Sequence, residues 1–153
     1  MKDLPLVLVV EDNEAEALFI LRSLDSAGVK NPIRVVNDGE EFVVYMEGRG
    51  KYDDRRMYPL PGLVLLNLKL PKRDCFELLS WVRGHAKFSG VQMIVLTGTQ
   101  DLRDICRAYQ AGANSFLRKP MDNRGLSEAI NGFWLGVAKT PAVSESRSQR
   151  NGK

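Results

Sequence analysis

The sequence predicts an α/β fold in which a parallel five-stranded sheet is covered by helices on both faces, as a three-layer sandwich. Five short runs of apolar and β-branched residues are bounded by turn or charged residues, which is typical of strands buried on both faces. Apolar side chains recur at helical spacing after these runs, and parallel neighbouring strands need such crossover helices. A chain of 153 residues has room for one core of this kind.

The first strand and helix are predicted from an apolar run followed by a helix-start signal. Residues 4–10, LPLVLVV, form the predicted strand. Asn13, with Glu16 three residues later, has the pattern of an N-cap with a capping box. The helix that follows is predicted to end at Gly28.

The middle of the chain alternates in the same way. A second strand is predicted over residues 33–36, a helix over 40–47 and a third strand over 63–68. Between that helix and that strand, the Gly-, Pro- and charge-rich stretch GRGKYDDRRMYPLPG predicts an exposed loop of unusual length. A third helix follows, with Cys75 on its apolar face.

The C-terminal half completes the pattern. The fourth strand is predicted over residues 91–97, the fifth within 114–120 and the last helix over 123–137. The apolar face of the fourth helix is predicted to consist of Leu102, Ile105, Cys106 and Tyr109. We take residues 1–139 as the domain and expect residues 140–153, which are polar, to be a disordered tail.

Five strand–helix units in this order predict the flavodoxin-like strand order 2-1-3-4-5, with right-handed crossovers. Ligands of such sheets bind at the carboxyl ends of strands one and three, where the winding reverses. Polar residues follow the strands at that edge, and we expect them to meet in one crevice: Glu11, Asp12, Asn67, Thr97 and Lys119.

The chemistry of this edge favours a cation over a bare phosphate. A flavodoxin-like redox protein would use backbone N–H groups, glycines and hydroxyls after strand one to hold the flavin phosphate. Glu11 and Asp12 stand there instead, and carboxylates repel phosphate but attract Mg²⁺. A flavin-binding redox protein therefore stays as a remote alternative, and no cofactor other than Mg²⁺ is expected.

Four segments in this order and spacing resemble the receiver domains of two-component response regulators: VLVVEDN, LVLLNLKLP, IVLTG and AGANSFLRKP. The resemblance covers residues 4–134 and implies a CheY-like signalling domain. The long loop before strand three and the segment FWLGVAKTP look like the stand-alone receivers that serve bacterial phytochrome-type kinases.

The resemblance implies a role for each residue of the crevice. Glu11, Asp12 and the backbone carbonyl of Lys69 correspond to positions that hold Mg²⁺, and Asn67 stands where the family has its phosphorylated aspartate. By the same resemblance, Thr97 would bond a phosphoryl oxygen and Lys119 would pair with the phosphoryl group. The aromatic switch position of the family is occupied by Phe116.

Asn67 changes what this crevice is expected to do. A carboxamide lacks the carboxylate nucleophile that phosphoryl transfer needs, and it removes one negative charge from the metal site. We therefore expect no phosphorylation at residue 67, no catalytic residue or enzymatic activity, and weak or absent Mg²⁺ binding. The alternative is an Asp-to-Asn variant of a phosphorylation-competent receiver. Departures nearby, with KLPKRDC where the family reads more like NLPGMDG, favour a natural atypical receiver.

Lys69 suggests a further hypothesis about the charge of the crevice. Its ammonium group, together with that of Lys119, would balance Glu11 and Asp12 and would stand in place of Mg²⁺. The alternative is that the Lys69 side chain points to solvent.

Composition and targeting signals limit the partners. No apolar run approaches the roughly 20 residues of a membrane span, and the N-terminus lacks the pattern of a secretory leader, so we expect a cytoplasmic protein. With a net charge of +3 and no basic face, the sequence does not indicate nucleic-acid binding. Expected partners are a sensor histidine kinase or another signalling protein, and a homodimer through helix four, strand five and helix five. Cys75 and Cys106 are expected to be reduced core or half-core residues.

Overall fold

A computed structural model describes residues 4–98, 100–119, 126–128 and 130. Five strands and four helices within these residues alternate in the order β1 Leu6–Val10, α1 Glu14–Ser26, β2 Ile33–Val36, α2 Gly39–Glu47, β3 Pro61–Asn67, α3 Cys75–Arg83, β4 Gln92–Thr97, α4 Leu102–Ala111 and β5 Ser115–Arg118. Residues 126–128 and 130 are also helical. Most of the predicted last helix and all of the predicted tail, 140–153, lie outside the described residues.

The strands form one parallel sheet in the predicted order, β2-β1-β3-β4-β5. Val10 pairs with Leu66 across β1 and β3, and Asn67 pairs with Leu96 across β3 and β4. The carboxyl ends of the three central strands therefore lie side by side, and the residues that follow them share one edge. This confirms the predicted α/β sandwich and the place of its crevice.

The central strands are buried on both faces, as their apolar runs predicted. In β1, Leu8 and Val10 pack into a core cluster with side chains of α2 and α3. Val7 and Val9 pack on the opposite face with α1, where Leu126 also contributes. Each layer of helices thus covers a separate half of the core, and the rigid sheet between them positions the crevice.

The strand boundaries differ slightly from the predicted ones. β1 begins at Leu6 instead of residue 4, because Leu4 is half-exposed and Pro5 has no N–H group to donate to a neighbouring strand. β3 begins earlier than predicted, with Pro61 as its first residue, a position where a strand tolerates the missing donor. Asn13 caps α1 as predicted, since its side chain accepts from the backbone N–H of Glu16 at 2.9 Å.

The predicted apolar face of α4 is only partly correct, because Ile105 is half-buried but the other three residues are exposed. Leu102 is 73% exposed and Tyr109 is 48% exposed, and Cys106 is exposed as well. The stripe that faces the protein runs through Ala108 and the partly buried Ala111, rotated from the predicted one. The small alanine side chains let α4 lie close to its neighbours. The hydrophobic pattern instead predicts burial of larger side chains, which lie on the outer side of the helix. Cys75 is buried as expected, and both cysteines are free.

The long loop between α2 and β3 is exposed over most of its length, as predicted, but it is also anchored to the core. It contains a 3₁₀ turn at Gly50–Tyr52, and the Tyr52 ring is buried against that of Tyr45, with ring centroids 4.8 Å apart. The Tyr52 hydroxyl donates to the Glu41 carboxylate, and Arg55 donates to the Met46 carbonyl at 2.6 Å. Tyr52 and Arg55 therefore attach this loop to α2, although its glycines, prolines and charges predict solvent exposure.

Candidate functional site

The predicted crevice exists at the carboxyl edge of the sheet. Its cavity of about 430 Å³ is lined by Glu11, Asp12, Asn13, Glu16, Asn67, Lys69, Thr97, Gly98 and Lys119. The structure therefore brings together all the residues that the sequence predicted for a metal and phosphoryl site. Phe116, the predicted switch residue, lies outside this lining and is half-buried against the core, with its ring 6.5 Å from that of Tyr109.

Glu11 is the buried carboxylate of the crevice, with 2% of its surface exposed. The backbone N–H of Asn13 donates to Glu11 Oε2 at 3.2 Å, and Lys119 Nζ donates to Glu11 Oε1 at 3.4 Å. Burial raises the pKa of the Glu11 carboxyl group, while the bond from Asn13 and the charge of Lys119 partly oppose this rise. The carboxylate thus depends on its partners for stabilisation of its charge.

Both the NH₂ group and the carbonyl oxygen of the Asn67 side chain form hydrogen bonds. Its Nδ2 group donates to Glu11 Oε2 at 3.1 Å and to the backbone carbonyl of Lys69 at 3.0 Å. Its Oδ1 atom accepts from Lys119 Nζ at 3.2 Å. The opposite orientation of the amide would place its oxygen against two acceptors and its NH₂ group against an ammonium group. The surroundings therefore select one orientation of the side chain.

Lys119 joins the polar groups of the crevice. Besides Glu11 and Asn67, its Nζ atom contacts Glu16 Oε1 at 3.3 Å. An ammonium group has three donors, and three acceptors surround this one. Glu16 therefore pairs with Lys119 instead of closing the predicted capping box, whose N-cap N–H group donates to Glu11. The backbone N–H of Lys119 also donates to the Thr97 carbonyl at 2.7 Å, which fixes the start of its side chain.

The remaining predicted residues differ in exposure. Thr97 is 2% exposed at the end of β4, whereas Asp12 is exposed at the mouth of the crevice. Lys69 is exposed, and its side chain forms no ion pair with any carboxylate of the described residues. The hypothesis that the Lys69 ammonium balances the crevice is therefore not supported, and the alternative of a solvent-facing side chain agrees with the structure. Among the described residues, Lys119 is the cationic side chain that pairs with the buried Glu11 carboxylate.

The crevice as arranged does not fit a divalent cation. Mg²⁺ binds through oxygen lone pairs, but Glu11 Oε2 and the Lys69 carbonyl both accept hydrogen bonds from Asn67 Nδ2. The Asn67 oxygen, the other candidate ligand from this side chain, faces Lys119. Within the described ranges, no group of three His, Cys, Asp or Glu side chains converges to hold a metal. The weak or absent Mg²⁺ binding expected from the sequence stays a prediction, now with a geometric reason.

The spacing of Asn13 and Glu16 predicts only a helix cap, and it does not predict that Glu16 pairs with Lys119. A signal was available, because residue 16 lies on the first turn of α1, next to the crevice, and a carboxylate there can reach a lysine after β5. The pairing itself joins residues that are far apart in the sequence, so its geometry depends on the folded sheet.

A second missed feature is the loop that follows Asn67. Lys72 has φ = +73°, a left-handed conformation that favours glycine. Its ammonium group pairs with Asp38 at 3.2 Å, and Asp38 caps α2. A Cβ atom on Gly39 would lie 2.5 Å from Arg73 Cβ, so the loop and the start of α2 pack closely. The loop that supplies the Lys69 carbonyl is thus tethered to α2.

Comparison with known proteins agrees with this geometry. The response regulator receiver domain family matches residues 7–131. A probable methanogenesis regulatory protein of Methanothrix harundinacea, FilR2, is 34% identical over 142 residues, which cover 89% of this chain and 87% of the relative. Within the described residues no helix is long and apolar enough to cross a membrane.

Two solved structures are similar to the chain over most of their length. A response regulator in red light signaling of R. palustris has a TM-score of 0.77 and 32% identity, covering 87% of this chain and 93% of that one. The Mn²⁺-bound form of response regulator Rcp1, a protein of Synechocystis, has a TM-score of 0.71 and 26% identity, covering 86% of this chain and 95% of that one. These likenesses support a receiver and not a flavin-binding redox protein. The chain belongs to the response regulator receiver domain family and is a domain of two-component signalling.

Proposed function

We propose that this protein is an atypical receiver that signals through protein–protein contacts without phosphorylation at residue 67. The observation that carries the proposal is the Asn67 carboxamide, whose two ends are both held by hydrogen bonds to Glu11, Lys69 and Lys119. Its position corresponds to the phosphoacceptor of the family, and its chemistry differs from that of an aspartate.

Phosphoryl transfer to a receiver needs an ionised oxygen aligned with the donor phosphate and a cation that neutralises the transferred group. An amide nitrogen shares its lone pair with the carbonyl group, and the amide group carries no net negative charge. In addition, Asn67 Oδ1 bonds to Lys119, the lysine that would otherwise pair with the phosphoryl group. We therefore assign no catalytic residue to this crevice.

The proposed partners are a sensor histidine kinase or another cytoplasmic signalling protein. The proposed contact surface consists of α4, β5 and the last helix, and it also accommodates a homodimer. Support for this choice comes from the exposed side chains of Leu102 and Tyr109 on the outer face of α4. Large apolar side chains of this kind are frequent in protein interfaces, and their exposure is not explained by packing within the described residues.

The second candidate is an Asp-to-Asn variant of a phosphorylation-competent receiver. It is favoured by the arrangement of Glu11, Asp12, Thr97 and Lys119, which line one cavity with residue 67. The two candidates make opposite predictions for a protein in which the aspartate is restored.

Acetyl phosphate and Mg²⁺ offered to the native chain and to Asn67→Asp, followed by intact mass measurement, test both candidates. The first candidate expects no phosphorylated species of the native chain and little or none of the variant. Stable phosphorylation of the variant alone would favour the second candidate. Phosphorylation of the native chain in this crevice would contradict both, and labelling of the native chain at other residues sets the background for the variant.

A further inference from the structure

We propose that the Asn67 carboxamide is a built-in substitute for a divalent cation and that it keeps Mg²⁺ out by occupying the metal's ligands. This goes further than the loss of one carboxylate, because it assigns an active blocking role to the amide. The inference rests on the proposed function, since both start from the amide at residue 67, but it concerns metal binding and not phosphorylation.

The Nδ2 group connects two oxygens that come from different strands. Glu11 Oε2 follows β1 and the Lys69 carbonyl follows β3, and Nδ2 donates to them at 3.1 and 3.0 Å. Glu11 Oε2 also accepts the backbone N–H of Asn13 at 3.2 Å. A cation shared by these two oxygens would compete with the NH₂ group, which bonds to both of them.

Lys119 prevents the amide from turning its oxygen toward a cation. Rotation of the Asn67 side chain by half a turn would bring its NH₂ group against the ammonium group and would break the bond from Nζ to Oδ1. Lys119 is itself held by Glu11 Oε1 and Glu16 Oε1, at 3.4 and 3.3 Å, and only 20% of its side chain is exposed. The bond from Lys119 to Oδ1 therefore holds the Asn67 amide in the orientation that blocks the metal ligands.

The same network supplies one positive charge, that of Lys119, to the buried carboxylate beside which a divalent cation would bind. The Glu11 side chain is 1% exposed and cannot be neutralised by bulk solvent, but Lys119 and the amide NH₂ group contact its two oxygens separately. One ammonium group and one amide NH₂ group therefore stabilise the buried Glu11 carboxylate without an ion.

Removal of the carboxamide distinguishes this proposal from simple loss of a ligand. Asn67→Ala has one oxygen fewer than the native chain, so a count of ligands predicts equal or weaker Mg²⁺ binding. The blocking proposal predicts about tenfold or tighter binding by Asn67→Ala than by the native chain, because Glu11 Oε2 and the Lys69 carbonyl are released. Asn67→Asp should bind most tightly, since it adds a carboxylate.

Mg²⁺ titrations followed by ¹⁵N–¹H NMR of the backbone amides of Lys69 and Gly98, with NaCl at matched ionic strength as control, give the affinities. Asn67→Ser, whose single hydroxyl donor cannot span both oxygens, is the second variant if Asn67→Ala does not fold. Tighter binding by either truncated variant supports the proposal, and binding no tighter than that of the native chain by the folded variants overturns it. If the metal titrations overturn the blocking role but the native chain is still not phosphorylated, the proposed function remains supported. Failure of the blocking proposal is therefore distinguishable from failure of the proposed function.

Discussion

The crevice and the outer face of α4 differ in where their functional groups are directed. In the crevice, Glu11, Asn67 and Lys119 bond to one another, and the buried polar atoms are satisfied internally. On α4, Leu102 and Tyr109 are 73% and 48% exposed. The buried polar groups of the crevice are thus paired with one another, whereas the large apolar groups of α4 face solvent. Substitutions in the two regions should therefore affect different properties of the protein.

Among the polar residues of the crevice and its loop, the largest effect is expected for Lys119→Met. The substitution leaves the buried Glu11 carboxylate without its ammonium partner and should lower the free energy of unfolding by about 2 kcal/mol, because Lys119 is partly exposed and the full penalty for a buried pair is not reached. Urea unfolding measures the change. Lys69→Met is the matched control, since Lys69 lines the same cavity but is exposed, and it should change stability by less than about 0.5 kcal/mol. Equal losses of unfolding free energy in the two variants would contradict a stabilising role of the bonds between Lys119 and Glu11.

A smaller effect concerns the glycine-like conformation of Lys72. Lys72→Gly relieves the cost of φ = +73°, while Lys72→Ala keeps that cost, and both lose the ion pair with Asp38. The glycine variant should therefore be more stable than the alanine variant by about 1 kcal/mol, the reverse of the usual preference. Thermal and urea unfolding compare the two, and an alanine variant as stable as the glycine variant would refute the strained loop.

The ion pair between Lys72 and Asp38 also makes the stability of the fold depend on pH. Burial raises the pKa of the Asp38 carboxyl group, but the hydrogen bonds from the Glu41 N–H group and from Lys72 outweigh this and lower it below the usual 3.8. A lowered pKa stabilises the folded state above pH 3.8, and this contribution is lost as the pH falls through the folded-state value. Relative to Asp38→Asn, which still caps α2, the native chain should lose up to about 1 kcal/mol below that pH. If the unfolding free energies of the native chain and of Asp38→Asn changed equally with pH, the stabilising ion pair between Asp38 and Lys72 would be excluded.

The smallest effect on stability is expected on α4. Leu102→Ala should change the free energy of unfolding by less than about 0.5 kcal/mol because the side chain is 73% exposed. Leu78→Ala, in the buried face of α3, is the comparison and should cost about 2–5 kcal/mol. A large loss for Leu102→Ala would show that this face is part of the core, and would remove the basis for placing the partner surface there.

The fold was predictable because burial on both faces leaves a clear mark on short strands, and because parallel strands require crossover helices. The gathering of Glu11, Asn67 and Lys119 followed from the same rule, since the carboxyl ends of the strands share one edge. The buried face of α4 was not predictable from hydrophobicity, because the small residues Ala108 and Ala111 face the protein and larger apolar residues face outward.

The details of the crevice depend on contacts that no local pattern encodes. Lys119 and Glu11 are 108 residues apart, and Asn67 and Glu11 are 56 residues apart. Which end of the amide faces which group follows only from their arrangement in space. Glu16 pairs with Lys119 because the fold places α1 beside the end of β5, although its spacing from Asn13 alone indicates a capping box.

The side-chain amide signals of Asn67 in a ¹⁵N–¹H NMR spectrum of the native chain test the central claim most directly. Both amide hydrogens donate to buried or partly buried oxygens, so the account predicts two well-separated resonances that exchange slowly with solvent and do not shift on addition of Mg²⁺. Rapidly exchanging signals, or signals that move in a saturable way with Mg²⁺, would contradict a crevice closed by its own carboxamide.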